Sequence, residues 1–466
     1  MQLTSPAFLF LFLPLSLFIL FVTPKANRRI CLSLISVCWY LLANQGNLSG
    51  LTHIASLVAF SVLLAYLPTS STIRRAKIRT AIWVAVPLLS FVAARILAEY
   101  GFEGYRYPVG LLFVTLACIS FAIDQARGDT VRPRNALELI GYLLFFPVLT
   151  MGPVLRSKVY FDMTEELGFH SDAFYFGIRK LMLGCIKRLA FSAVALRAFS
   201  EATSYIRTQM HPVTLLILLI LSLLGFYYAV GGTVDMARGV CAMYGIWLPR
   251  DRARLAMGTS PDRIFYGILL SLRAYLLDYL ILPIERRLGG KRGRVVSVVL
   301  LFFCIVLLWR TRLVALLFAL PLLFFALLNL SPRVRKAAYK STSLRLLSVG
   351  ASLLLCAPLT LVLTMQDPMY VLELISSAFQ SVGHYPFYAV FGVIRDAWYL
   401  VLLGVLLLLL LPYAYICKWL RRKSGPKMKS ALALTEITVI FAGFLATLIY
   451  FAPQFPQYAI YAMYLM

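Results

Sequence analysis

The chain has 466 residues, of which 61% are hydrophobic and only 14% charged, and it carries a formal net charge of +26. Such apolar content excludes a soluble globular protein, and repeated apolar runs of membrane-spanning length set the class as all-α and polytopic. The excess of Lys and Arg does not point to nucleic acid, because it sits in short stretches between apolar runs and no soluble module presents it.

In chain order, residues 7–22 form the first apolar run. No basic residue precedes it and no small-residue cleavage site follows, so it is expected to remain as a first span rather than to be removed as a signal peptide. Lys25, Arg28 and Arg29 come next. Runs at 30–43, 51–67, 80–98 and 108–123 then alternate, with Arg74, Arg75, Lys77 and Arg79 between two of them and Arg127, Arg132 and Arg134 at the end. Residues 44–50 and 366–384 hold almost no Lys or Arg. This asymmetry puts the basic stretches on the cytoplasmic side, against membrane lipids with anionic headgroups.

Three segments do not fit a simple crossing, because basic residues flank both ends: 137–152, 231–246 and 264–284. Each is expected to dip in and return. In the first, Pro147 and the Gly152, Pro153 pair break regular helix, which is tolerated at membrane depth only where protein buries the freed backbone. Runs at 213–230, 295–309, 346–363, 390–411 and 434–451 complete the path. The expectation is about 11–12 transmembrane helices plus re-entrant segments around a central cavity, in one domain over residues 1–466 with both termini outside. The eight cysteines lie mostly in apolar stretches without paired spacing, so they read as small buried residues rather than as a metal site or disulfides.

Carboxylates are expensive in such segments unless paired or facing water. Asp124, Asp235 and Asp278 are the ones set against or within apolar sequence, with Arg156, Arg273, Arg310 and Arg312 as candidate partners. An interface charge that snorkels or caps a helix suits Asp124, Arg310 and Arg312; it suits Asp235 and Asp278 less well, since both fall in segments expected to re-enter. There are four histidines. His53 reads as a residue hydrogen-bonded within the bundle, His170 and His211 as solvated loop residues. His384 lies in an outer stretch with tyrosines, within reach of an external acceptor. Thr259 and Ser260 have no base nearby in sequence and read as loop composition.

A series of blocks resembles the bacterial membrane-bound O-acyltransferases that acetylate alginate or move D-alanine toward teichoic acid. Residues 5–15 look like the opening of the alginate-type members. Pro108 to Gly110, Ser120 to Asp124 and Arg127, Gly128 match a first block. Arg134, Asn135, Phe145 to Pro147 and Gly152 to Arg156 form the second and most specific one, and Gly184 with Lys187 and Arg188 a weaker third. Tyr227, Gly232, Asp235 to Ala237, Gly239, Tyr244 to Ile246 and Pro249 continue in register, followed by Ser271, Leu272, Asp278, Tyr279 and Pro283. The blocks run from about residue 3 to about 330, with faint similarity over the C-terminal helices at 346–452; their order and spacing carry the resemblance, since each alone is weak.

The departures are concentrated. Leu269 stands where the resemblance places the first family histidine, and Leu323, fourteen residues after Trp309, where it places the second. The family's Asp-Phe-Ser-Gly element reads Ala229, Val230, Gly231, Gly232. Acyl transfer to a hydroxyl needs a base for the hydroxyl proton, and losing that help alone removes ~10²–10⁴-fold in rate. Leucine supplies no such group.

The resemblance implies channel or binding residues at Phe146, Pro147, Gly152, Pro153, Arg156, Gly232, Ser271, Trp309 and Arg310, in the bacterial inner membrane. It implies acetyl-CoA or another acyl thioester as donor if the protein is active, with no bound cofactor or metal. A polysaccharide and an extracytoplasmic transferase or active paralogue are the implied partners. Three readings follow: a catalytically silent relative; an acyltransferase rebuilt on Asp235, Asp278, Tyr279 or His384; and a lipid or glycan transporter. The last lacks a visible inverted repeat.

Overall fold

The computed structural model describes residues 2–67, 73–99, 105–129, 133–150, 152–165, 167–193, 195–196, 212–248, 270–309, 314–328, 342–364, 368–380 and 426–451. Among these the chain is helical, without strands. The helices are α1 (Ala7–Val22), α2 (Arg28–Ala43), α3 (Leu48–Tyr66), α4 (Ile73–Glu99) and α5 (Leu111–Arg127). After them come the short α6 (Ala136–Leu143), α7 (Phe146–Leu149) and α8 (Ser157–Met163), then α9 (Ser171–Cys185) and the long α10 (Pro212–Met243). The second half holds α11 (Leu270–Leu276), α12 (Leu282–Leu288), α13 (Gly290–Trp309), α14 (Val314–Leu328), α15 (Thr342–Thr364), α16 (Pro368–Gln380) and α17 (Pro426–Phe451).

Leu48–Tyr66, Arg74–Ala98 and Pro212–Met243 are long and apolar enough to cross a membrane, and shorter apolar helices accompany them. The protein is thus a multi-pass helical membrane protein. Its outward apolar side chains, such as Phe10, Leu11 and Phe18 on α1 and Leu434 and Ile449 on α17, form the face a bilayer covers.

The expected break around residues 137–152 is present. Asn135 caps α6, accepting from the Glu138 amide at 2.9 Å, while the Glu138 carboxylate accepts from the Arg134 amide at 2.9 Å. The helix stops at Leu144, and Pro147 sits in the first turn of the four-residue α7, where its missing N–H is harmless. Phe146 lies at the centre of an aromatic group, with ring centroids 6.2 Å from Phe8, 5.8 Å from Phe12, 5.8 Å from Trp39 and 6.1 Å from Tyr244. One apolar core joins α1 to α9 with the end of α10 and with Ile440, Phe444 and Leu448 of α17. A second joins the rest of α10 to α11 and α13 to α16.

Residues 231–246 behave otherwise than expected. They do not re-enter: α10 runs unbroken through Gly231 and Gly232 to Met243, ~48 Å at 1.5 Å per residue. That exceeds a ~30 Å hydrocarbon core, so the basic residue after this stretch does not require a return. The glycines there serve close packing instead. Gly177 and Gly184 of α9 face Gly239 and Gly232 of α10 in antiparallel register, and a Cβ on Gly184 would stand 2.7 Å from the Gly232 carbonyl oxygen. Of the third expected dip, residues 264–269 lie outside those described; from Leu270 the chain runs helically through a π turn at Leu277–Ile281 into α12.

Candidate functional site

Three segments meet around Asp124, and each has a local reason to be there. The helix α5 ends one turn beyond Asp124 at Gly128, whose φ of +76° lets the chain turn: the Asp129 amide donates to the Asp124 carbonyl at 2.9 Å and the Gly128 amide to Gln125 at 3.2 Å. Gly152 and Pro153 hold residues 152–156 out of helix until Ser157 opens α8. A π turn then sets Tyr279 on the same side as these two.

The Asp124 carboxylate accepts the hydroxyls of Tyr279 at 2.7 Å and Ser157 at 2.6 Å. Ser120 has one proton for two acceptors, the Asp124 carboxylate at 3.2 Å and the Tyr279 oxygen at 2.9 Å, and it accepts from the Ser157 amide at 3.2 Å. Asp124 is only 5% exposed. It is therefore not the interface charge its position suggested: the serines one turn before it and across from it supply donors that make burial tolerable. Nearby, the Val154 amide donates to Ser271 at 2.9 Å, and Tyr275 donates to the Leu116 carbonyl at 2.8 Å.

Arg156 and Asp278 form the half-exposed ion pair at the edge of this cluster, and Arg156 also donates to the Ala274 carbonyl at 3.2 Å. The structure thus brings Pro153, Arg156, Ser271, Asp278 and Tyr279 together, with Phe146 and Pro147 buried behind them in the aromatic core. Chemically, the cluster is a buried carboxylate held by neutral donors, with two arginines around one tyrosine. Such an arrangement fixes three segments and presents positive charge at its rim.

Asp235 lies apart from it. It is 3% exposed and takes ion pairs from Lys180, at 3.2 Å, and Lys187 of the preceding helical stretch. Lys180 and Lys187 are seven residues apart, two turns along one helix face, so one carboxylate between them serves both. Its part is to tie the glycine-packed pair α9 and α10. Asp235→Ala would take the shared carboxylate from two mostly buried ammonium groups, and we expect a loss of roughly 3–5 kcal/mol. A detergent-solubilised unfolding midpoint within error of the parent would contradict this role.

The remaining positions divide. Gly232 packs on α9, and Gly152 on Val148 and Ala237. His53 bonds Ser90 at 2.7 Å and Tyr105 at 3.1 Å, a histidine with both ring nitrogens engaged inside the bundle. His170 is exposed just before α9. Trp309 ends α13. Leu323 is 9% exposed in the second apolar core. Leu269, Arg310, Arg312, His211, His384, Thr259 and Ser260 lie outside the described residues. Sequence reasoning missed Ser120, Ser157 and Lys180 as partners; the seven-residue spacing of Lys180 and Lys187 was the available signal.

No protein-family model matches the chain. It is 27% identical over 318 residues to the probable alginate O-acetylase AlgI of Azotobacter vinelandii, an alignment covering 63% of this chain and 60% of that relative. To the protein of the same name from Pseudomonas aeruginosa it is 26% identical over 311 residues, covering 63% and 58%, and to that of Pseudomonas putida 26% over 317 residues, covering 63% and 62%. The chain spans about 60% of the length of these curated relatives. The likeness read from the sequence blocks stands: this chain is similar, at 26–27% identity, to several curated proteins named probable alginate O-acetylases, themselves of the membrane-bound O-acyltransferase type.

Proposed function

We propose that this protein serves the O-acylation of a cell-envelope polysaccharide as a scaffold without histidine chemistry, in the inner membrane, binding lipid, glycan or an extracytoplasmic transferase. The relatives are named for acetylating alginate, which motivates the pathway. The observation that carries the loss of chemistry is Leu323. The position at which the resemblance expects the second histidine holds an aliphatic side chain, 9% exposed in an apolar core with Phe302, Leu322, Leu359 and Val362. Leucine there supplies neither a proton acceptor nor a donor.

A second reading, an acyltransferase rebuilt around Asp278 and Tyr279 with an acyl thioester as donor, draws on the way Tyr279 sits between Asp124 and two arginines. The two separate in cells. With protein level unchanged, strains carrying Asp278→Ala or Tyr279→Phe are expected to keep parental O-acyl ester on their polysaccharide. Loss of more than tenfold in either would favour the rebuilt site.

A further inference from the structure

We infer that the edge made by Arg127 and Arg156 is a binding site for the phosphate of an anionic lipid headgroup, with Tyr279 as its floor. This goes beyond the functional reading above and holds whether or not acyl transfer occurs. Arg127 is exposed, its side chain donates to the main-chain carbonyl of Asp278 at 3.4 Å, and among the described residues no carboxylate pairs with it. Its guanidinium carbon stands 5.4 Å from the Tyr279 ring centroid, and that of Arg156 stands 5.9 Å from the same centroid.

Two guanidinium groups beside one ring, one balanced by Asp278 and the other paired with no carboxylate among the described residues, leave the edge cationic. Guanidinium forks match phosphate oxygens two at a time, and stacking on an aromatic ring holds them in place. The floor does not yield: Tyr279 is pinned by Asp124 and Ser120 at 2.7 and 2.9 Å. A lipid is favoured over a soluble phosphate because the next residue, Leu280, is exposed on the same turn, and Leu288 is exposed further along. Cations beside outward apolar side chains are the chemistry of the headgroup level of a bilayer. Arg127 also closes the helix whose basic end falls on the cytoplasmic side by charge asymmetry.

The test uses the full-length protein in a neutral detergent, titrated with phosphatidylglycerol and, separately, with phosphatidylcholine. Preference for phosphatidylglycerol is expected. It should weaken about fivefold in Arg127→Gln, the loss of one basic residue at an anionic headgroup, and less in Arg127→Lys. Arg106→Gln, the same charge change at an exposed arginine outside the basic stretches, should leave it unchanged. Equal binding of the two lipids, equal effects of Arg127→Gln and Arg106→Gln, or displacement of the lipid by inorganic phosphate would each overturn the assignment. The lipid-free unfolding midpoint of Arg127→Gln, expected to match the parent, separates lost binding from lost folding.

Discussion

Asp124→Leu is expected to be among the most damaging single substitutions at the described residues. It removes the carboxylate acceptor of Ser157 and Tyr279 and one of the two acceptors open to Ser120, and both serines are fully buried. A buried donor left without an acceptor costs about 1–3 kcal/mol. With Ser120 discounted for its second acceptor and Tyr279 for its partial exposure, the sum is roughly 2–4 kcal/mol, a large fraction of a typical folding free energy. Asp124→Asn keeps one acceptor oxygen and the same shape, so it should lose about half as much. Ser157→Ala removes a donor and leaves the carboxylate two others, so it should lose least. The order of unfolding midpoints in detergent checks the account: Asp124→Leu lowest, then Asp124→Asn, then Ser157→Ala. Equal midpoints for the parent and Asp124→Leu would mean that the cluster does not hold the three segments together.

The second large effect is expected where α9 and α10 approach through glycine. A Cβ on Gly184 would stand 2.4 Å from the Met236 side chain and 2.7 Å from the Gly232 carbonyl oxygen; one on Gly239 would stand 2.6 Å from the Leu181 amide nitrogen. Side-chain tips can move aside, but main chain cannot without parting the helices. Overpacking costs about 1–3 kcal/mol in cores that can adjust, and Gly184→Val is expected at or above the top of that range. Parting this pair also pulls Lys180 and Lys187 from Asp235. Gly350→Ala is the matched control, since nothing lies within 4 Å of its added Cβ and it sits inside a helix. It should be neutral or gain up to ~1 kcal/mol. Similar yields of folded protein from Gly184→Val and Gly350→Ala would contradict the close-packed reading of α9 and α10.

How much of this was legible in the chain depends on the kind of signal. The helical membrane class and the interruption at Pro147 to Pro153 were readable, because apolar length and proline geometry act locally. The order of blocks pointed to the acyltransferase type, and the curated relatives agree. Charge asymmetry misled at residues 231–246, since a helix longer than the hydrocarbon core places basic residues beyond it without turning back. The sequence also left the part of Gly232 open, because a glycine in sequence does not say whether its missing Cβ serves a turn or a neighbouring helix. Asp124 looked like an end charge because its partners, Ser157 and Tyr279, lie 33 and 155 residues away. Asp235 was rightly noticed as costly, yet its neutralisation by Lys180 and Lys187 comes from a separate segment. The partners of buried charge are long-range facts, and one-dimensional pattern carries only their residue types.

The most direct test of the silent-scaffold account is an acyl-transfer assay on the purified full-length protein with radiolabelled acetyl-CoA, with and without an extracytoplasmic transferase from the same envelope system. The account predicts no covalent label on glycan or partner above a protein-free control, together with retained binding of the partner. Label that appears with the parent and is lost in Asp278→Ala or Tyr279→Phe, with folding intact, would contradict it and assign the chemistry to the rebuilt site.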